Sequence, residues 1–474
     1  MRKRAALGHP ASVRQLSRPW LVVGAVGLSL TLQLSDGFYH PPALAWLGLA
    51  LVATLLGVSG ITWPWSTDDE LDGAVTSALL TVGVLVSAVA LVSAPLARYM
   101  ADPRPWAHPT LLIAVAVALV TALTVRATHG RAARRLAAAV LMAVGLWVGA
   151  WTVRESPEPH IDVIPVHQDA FAAVARGHSP YGITFANIYD EKSPFYAREM
   201  RDGQRVLFGF PYPPLSLALA WPGYAVLGDL RYSEVLAMAI TLALIVSLGT
   251  EPALLAAAAL LLAPRLVFHL EQGWTEPFPI VLLALTVVTA RRWPSRAWLP
   301  LGLLVASKQH MVLALAFAPF LVDRSAPATT TASPWRFMAK AVLVAAAVTL
   351  PLALLDVDAF IRSAVLLQLR EPFRLDSLSF TRQLLLWGVP LDKQGAMAVS
   401  LGAGLLGLGL SWWRAPRTPA GFAAALGTTC FLLTAFGKKA FLNYYFLVVA
   451  CLLIAVAADD GRKGRSASAP ILPQ

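Results

Sequence analysis

Two aspartates follow the fifth long apolar stretch of this 474-residue chain, at a spacing that could serve chemistry. Asp162 and Asp169 are seven residues apart, so their side chains would lie on one face of a helix. Phe171 and Val174 would give that helix an apolar underside on the membrane, and Gly177 would end it. Both aspartates could instead cap or solubilise a loop helix. Asp162 is closer to the apolar stretch, where a substrate carried by a lipid would arrive.

An aromatic turn and a polar turn come next along the chain. The first reads FGFPYPPL and contains Tyr212, which could contact a sugar or only stiffen an interfacial turn. The second reads HLEQGWTEP and contains Glu271, Trp274 and Glu276. Tryptophan rings stack on sugar faces, and carboxylates accept hydrogen bonds from hydroxyls. The alternative is a tryptophan anchor at the interface and a glutamate that caps a helix.

Basic residues near these turns could hold an anion. Lys308 interrupts an apolar stretch, and a cation deep in a bilayer costs about 2.5–3.5 kcal/mol, so it must snorkel, pair or bind an anion. Cations of this kind suit phosphate, and arginine can bind it with two parallel hydrogen bonds. Ion pairs with Glu371 and Asp376 are the alternative for the arginines. Four more cations are predicted on the same side: Arg370, Arg374, Lys438 and Lys439.

The composition requires a membrane protein around these residues. The chain is 57% hydrophobic and 14% charged, whereas about a quarter of an average soluble domain is charged. Long apolar runs exclude both a soluble enzyme and an outer-membrane barrel. The net charge of +11 comes from scattered residues, which excludes nucleic-acid binding. No nucleotide-binding or metalloprotease motif is present, so no cofactor is expected, and Cys430 and Cys451 are expected in the core.

The apolar runs predict about 14 spans with both termini in the cytoplasm, because basic residues collect in the loops on that side. Two larger outer segments result, at about 154–232 and 356–395. Pro213–Leu227 is predicted to be interfacial or re-entrant, and two half-helices are predicted to meet at Ser307–His310. The spans are predicted at about 19–36, 42–61, 74–94, 110–126, 136–153, 233–249, 253–268, 277–290, 298–306, 310–323, 340–355, 396–412, 419–436 and 441–457.

The order of these pieces resembles bacterial membrane glycosyltransferases of the GT-C superfamily, and is most similar to glycosyltransferase family 87. An acid at the outer end of a span is followed by the strings Ala172–Tyr181 and Tyr212–Leu215. Strings similar to those of actinobacterial homologues occur at Glu271–Pro277, Ala306–Gln309, Asp376–Ser379 and Lys439–Tyr445. The resemblance covers about 136–457. Residues 1–135 are then extra N-terminal helices, and 458–474 are a cytoplasmic tail.

The resemblance implies an all-α polytopic fold with an outward-facing cavity and amphipathic outer-loop helices. It implies Asp162 as the catalytic base, with Asp169 as the second candidate. No Asp-x-Asp pair accompanies Asp162, so no metal is expected. We expect Lys308, Arg374 and Glu271 to converge beside the first outer segment. The substrate-binding candidates are His167, Gln168, Tyr181, Tyr212, Glu271, Gln272, Trp274, Glu276, Lys308, Gln309, Arg370, Arg374, Lys438, Lys439, Asn443 and Tyr444.

The implied activity is inverting transfer of a sugar, such as mannose or arabinofuranose, from a polyprenyl phosphate. The acceptor would be a glycan or glycolipid on the outer side of the cell membrane. The rival hypotheses are a flippase or transporter of a lipid-linked sugar and a non-catalytic membrane subunit. An enzyme would keep its ionisable residues on one face, whereas a transporter would need them at depth or on both faces. No internal repeat of the kind found in transporters is visible.

Overall fold

The computed structural model describes residues 14–66, 68–125, 130–189, 193, 195–322 and 333–461. These residues form an all-α fold with one small antiparallel sheet. The sheet has the strand order β1-β3-β2, with β1 Phe185–Ala186, β2 Arg201–Asp202 and β3 Arg205–Val206. It lies between Ala175 and Pro214, within residues 154–232; this range and 356–395 keep the labels first and second outer segment.

The helices follow one another with short connections. The α-helices are α1 Arg18–Ser35, α2 Pro41–Val58, α3 Asp69–Ser93, α4 Pro109–Val125, α5 Arg131–Glu155, α6 Val163–Ala175, α7 Pro214–Leu227, α8 Arg231–Ser247, α9 Ala253–Leu261, α10 Leu266–Glu271, α11 Pro277–Arg292, α12 Trp298–Ser307, α13 Pro334–Ala353, α14 Val357–Phe360, α15 Leu367–Arg370, α16 Phe380–Leu386, α17 Lys393–Arg414, α18 Pro419–Ala435 and α19 Leu442–Ala458. Short 3₁₀ helices occupy Pro105–Ala107, Arg198–Met200 and Pro294–Arg296, a longer one occupies Gln309–Phe320, and a π-helical turn spans Ile361–Leu366.

Five described helices are long and apolar enough to cross a membrane: α2, α3, α5, α13 and α17. The pair α7 and α8 would add a sixth span if it counts as one, but the two helices are bent by 113° at Gly228–Leu230. The all-α fold class and the membrane character are therefore confirmed. The total of about 14 spans and the orientation stay predictions.

Most predicted spans match observed helices within a few residues, with two corrections. The predicted span 253–268 is wrong as one helix, because it is interrupted between α9 and α10 at Pro264, which cannot continue a helix without kinking it. The predicted break at Lys308 is present, since this residue is extended with φ −157° and ψ 148°. The half-helix after it is a 3₁₀ helix, not an α-helix.

The two ends of the helix bundle carry different polar clusters. Helices α11 and α19 run parallel, because Asn443 near the start of α19 bonds Glu276 at the start of α11. At their other ends, Arg291 bonds the carbonyl of Ala458 and the carboxylate of Asp460. We call the end that contains Glu276 the site end, because the first outer segment packs there.

Candidate functional site

Asp162 stands directly before α6 but does not cap it. Its backbone is helical, with φ −66° and ψ −25°, and its carboxylate makes no hydrogen bond to the first turn. Instead one carboxylate oxygen accepts a hydrogen bond from the hydroxyl of Tyr196. The hydroxyl of Tyr189 also interacts with this carboxylate. The capping alternative is therefore wrong for Asp162, whose half-buried carboxylate faces two tyrosine hydroxyls instead.

Asp169 has a different environment from Asp162. It is exposed, as is its neighbour Gln168, whereas His167 and Val166 are buried. The two predicted acids are thus on the same element, but one sits among aromatic side chains and the other in solvent. The solubilising alternative fits Asp169.

The sequence analysis missed two tyrosines that hold Asp162. The hydroxyl of Tyr189 accepts a hydrogen bond from the Asp162 backbone N–H at 3.1 Å, while Tyr196 donates to the carboxylate. Tyr189 stacks on Phe195 with ring centroids 4.2 Å apart, and Tyr196 packs edge-on against Phe208. Burial and the charge of Asp162 raise the pKa of both tyrosines, so both stay protonated. The density of aromatic residues in an otherwise polar stretch was the available signal.

Lys308 lies in a closed cluster beside Tyr212. Its ammonium group pairs with the carboxylate of Glu276 and donates to the hydroxyl of Thr275 at 3.2 Å. The same ammonium lies 5.6 Å from the ring centre of Tyr212 and 5.7 Å from that of Tyr444. The buried cation is thus paired, as one of the sequence alternatives required.

Glu276 itself is only partly satisfied. One of its oxygens accepts from Lys308 and from the Asn443 amide at 2.8 Å, and its other buried oxygen has no partner among the described residues. Such an unpaired buried oxygen calls for a water, a ligand or a functional reason.

His167 connects Asp162's helix to this cluster. Its Nδ1 lies 2.7 Å from the carbonyl of Val163, which can only accept, so Nδ1 carries the proton. Its Nε2 is then an unprotonated acceptor, and no described group pairs with it. The ring stacks on Tyr212, with centroids 5.6 Å apart. Burial lowers the pKa of His167 to about 4, so the ring is neutral at neutral pH.

The carboxylate of Glu271 is hydrogen-bonded to groups of the protein itself. Its buried carboxylate accepts four hydrogen bonds, from the backbone N–H groups of Arg98 and Tyr99, the Ser156 hydroxyl and the Gln272 amide. These bonds are 2.7–3.0 Å long and tie the α3–α4 connection to the base of the first outer segment. Glu271 and Gln272 are therefore placed as structural groups.

Two further candidates use their polar atoms in hydrogen bonds within the protein, and a third packs against neighbouring rings. Gln309 donates to the carbonyls of Pro211 and Ala364 at 2.6 and 3.0 Å. The buried Tyr181 donates to the carbonyl of Tyr212 at 3.1 Å. Trp274 packs on Phe268 and His269. These contacts fix the turn that presents Tyr212.

Arg374 is paired and enclosed by aromatic rings. Its guanidinium makes two parallel hydrogen bonds to Asp376, at 2.9 and 2.7 Å. It lies between the rings of Phe195 and Phe441, 4.3 and 4.6 Å from their centres. The ion-pair alternative is confirmed for this arginine, which fastens the first outer segment to the second.

Two adjacent lysines differ in their partners. Lys439 pairs with the carboxylate of Glu371 at 2.7 Å and also interacts electrostatically with Asp162. Lys438 bonds only backbone carbonyls, those of Leu369 at 3.3 Å and Glu371 at 2.8 Å. Arg370 is exposed beside them.

The predicted convergence of Lys308, Arg374 and Glu271 takes another form. Each contacts the first outer segment, through Tyr212, Phe195 and Ser156 respectively. No described contact joins the three residues to one another, so they belong to separate clusters of the site end. Within the described ranges no group of three histidine, cysteine or acidic side chains could hold a metal ion.

No protein-family model, curated protein sequence or solved structure matches this chain. The resemblance to glycosyltransferase family 87 therefore rests on the sequence strings alone. The chemistry that can be assigned to the site comes from its own geometry: a half-buried carboxylate that caps no helix, neutral aromatic walls and several cations at one end of the bundle.

Proposed function

We propose that the protein is a GT-C-like membrane glycosyltransferase with Asp162 as its general base. It moves a sugar from a polyprenyl phosphate to a hydroxyl of a glycan or glycolipid on the outer side of the cell membrane. The observation that carries this proposal is the Asp162 carboxylate, which makes no capping bond to its helix and is held half-buried by Tyr196. The family resemblance supplies the donor class.

The reaction is one displacement. The acceptor oxygen forms a bond to the anomeric carbon while the bond from that carbon to the phosphate oxygen breaks. The hydroxyl proton passes to Asp162, and the bonding electrons leave with the lipid phosphate. Attack from the opposite side inverts the anomeric centre. General base catalysis of this kind contributes about 10²- to 10⁴-fold.

The surroundings of Asp162 suit that role. Tyr196 holds one carboxylate oxygen, which fixes the orientation of the proposed base. The unprotonated Nε2 of His167, five residues along the chain, would accept a hydrogen bond from a sugar hydroxyl.

A transporter of a lipid-linked sugar is the second candidate, because one observation favours it. The chain is broken at Lys308, and the Lys308–Glu276 pair beside the break is buried. Broken helices with buried ionisable residues are typical of transporter binding sites. A transporter would use this pair and would need no base at Asp162.

The test is sugar transfer by the purified protein from a panel of synthetic polyprenyl-phosphate sugars. Asp162→Asn keeps the shape and should lower turnover by at least about 10²-fold, while donor affinity is largely kept. Asp169→Asn is the matched control, an exposed acid on the same helix, and should turn over normally. If Asp169→Asn abolished transfer while Asp162→Asn kept it, Asp169 would be the base. Normal turnover in both variants would remove this mechanism. Movement of a lipid-linked sugar across vesicles without transfer would establish the transporter.

A further inference from the structure

The cations of the site end differ in how their charge is balanced. Three of the candidate substrate-binding cations contact a carboxylate: Lys308 with Glu276, Arg374 with Asp376 and Lys439 with Glu371. Each is already neutralised, so an anionic ligand would have to break an existing ion pair to use it. Breaking a buried pair leaves a carboxylate without compensation, which is costly.

Three other cations of this end have no such partner. Lys438 bonds the carbonyls of Leu369 and Glu371, and Lys393 bonds the carbonyl of Arg370 at 2.7 Å. Arg370 is exposed, and within the described chain none of these three has a carboxylate within ion-pair distance. The nearby Asp392 is occupied as the cap of α17, where it accepts from the Gly395 N–H at 2.7 Å. A net positive charge therefore remains here.

The crowding of these charges is visible in Lys438. Burial, with a smaller contribution from the positive charges of Lys393 and Lys439, lowers the pKa of Lys438 to about 8 against the opposing effect of the Glu371 carboxylate. An anion bound between the amino groups would relieve this repulsion. The unbalanced positive charge of this cluster therefore favours an anionic ligand.

The same segment exposes apolar side chains beside the cations. Leu369 adjoins Arg370 and is about half exposed, and Leu386 and Trp387 stand exposed before Lys393. An anion with a hydrocarbon chain would satisfy both surfaces. Lys439, next to Lys438 in the sequence, interacts electrostatically with Asp162, so the proposed base lies near this cluster.

We propose that Lys438, Lys393 and Arg370 form the binding site for the phosphate of an isoprenoid phosphate ester. Lys308 and Arg374 then brace the fold and do not bind that phosphate. This inference rests on the proposed function and refines it, since it assigns the donor phosphate to a rim of the second outer segment. The isoprenoid chain lies along the exposed apolar side chains there.

The test is binding of farnesyl phosphate to the full chain in phosphatidylcholine nanodiscs. Lys438→Gln should weaken binding by about 10- to 100-fold, the range for one charge-assisted hydrogen bond. Arg362→Gln removes an exposed cation of the same segment outside the cluster and should bind like the wild type. The double variant Lys308→Gln/Glu276→Gln removes a buried pair together and should also bind normally.

The pH dependence gives a second readout. A lysine is charged below its pKa, so wild-type binding should fall between about pH 6 and about pH 10, on either side of the Lys438 pKa of about 8. Lys438→Arg stays charged at both values and should keep its affinity at the higher pH. A wild type and an arginine variant with the same profile would overturn the assignment to Lys438.

Further arms identify the source of the phosphate and separate the two proposals. Farnesol should not bind, and inorganic phosphate and phosphatidylglycerol should compete poorly; strong competition by either would overturn the isoprenoid assignment. Normal binding by Lys438→Gln, or an equal loss in Arg362→Gln, would refute the site while leaving sugar transfer intact. If farnesyl phosphate binding depended on Lys438 but the protein transferred no sugar, the site would be supported and the transferase function would be refuted. A wild type that binds no farnesyl phosphate would count against both.

Discussion

Glu271 and Glu276 lie five residues apart in one turn, and both are fully buried, yet they serve different regions. Glu271 accepts four hydrogen bonds from the protein, whereas one oxygen of Glu276 has no partner among the described residues. We call Glu271 and its donors Arg98, Tyr99, Ser156 and Gln272 the knot. The Lys308 cluster consists of Lys308, Thr275, Glu276 and Asn443. The contrast teaches that hydrogen-bond satisfaction, not burial or charge, separates a structural acid from one that has capacity for a ligand.

The knot is satisfied throughout the part that the structure describes. Arg231, which is fully buried, donates to the carbonyls of Ser156 and Glu271 at 2.8 and 3.2 Å. It also pairs with Asp229 at 2.6 Å. The knot therefore fixes the base of the first outer segment and, through it, the position of Asp162.

The largest effect is expected in the Lys308 cluster. Lys308→Met should lower the free energy of unfolding by about 3–5 kcal/mol, because it leaves the Glu276 carboxylate buried without its cation. Lys308→Met/Glu276→Gln should recover most of this loss. Thermal and chemical unfolding in detergent measure both. A double variant as unstable as the single one would mean that packing, not the pair, sets the stability.

A neutral substitution in the knot should lower the free energy of unfolding less than Lys308→Met does. Glu271→Gln replaces an acceptor oxygen with an N–H₂ group that faces a donor, so it should cost about 1–3 kcal/mol of unfolding free energy. If Glu271→Gln were neutral in the same unfolding assay, the knot would not be structural.

A smaller effect is expected at the tyrosine that holds Asp162. Tyr196→Phe removes one hydrogen bond to the carboxylate and should lower sugar transfer by about 3- to 10-fold, with unchanged donor affinity. Tyr189→Phe is the comparison: its hydroxyl accepts from the Asp162 backbone and also interacts with the carboxylate, so this variant should lower transfer less than Tyr196→Phe. Equal losses in the two variants would point to general damage of the segment.

The smallest effect is expected at Asp169. Because this side chain is exposed and lies outside both regions, Asp169→Asn should change the free energy of unfolding by no more than about 0.5 kcal/mol. The same unfolding assay checks it. A larger loss would show that α6 depends on a contact of this acid and would weaken its use as a control.

Much of the fold could be predicted from local patterns. The apolar runs placed most helices within a few residues, and the helix after Asp162 was expected and is present. The break at Lys308 was also predicted, because a cation and polar neighbours interrupt an apolar run. The break at Pro264 was missed because hydropathy averages over single residues, although proline is the residue that ends helices.

The sequence by itself determined the membrane class, the helix order and the stock of acids and cations. Those properties depend on composition and on periodicity over a few turns. Only the tertiary structure decided which acids are free, because hydrogen-bond partners come from distant parts of the chain. Glu276 meets Lys308 and Asn443, 32 and 167 residues away, and Asp162 meets Tyr196, 34 residues away. A side chain's type is written in the sequence, but whether its polar atoms are already bonded is a property of packing.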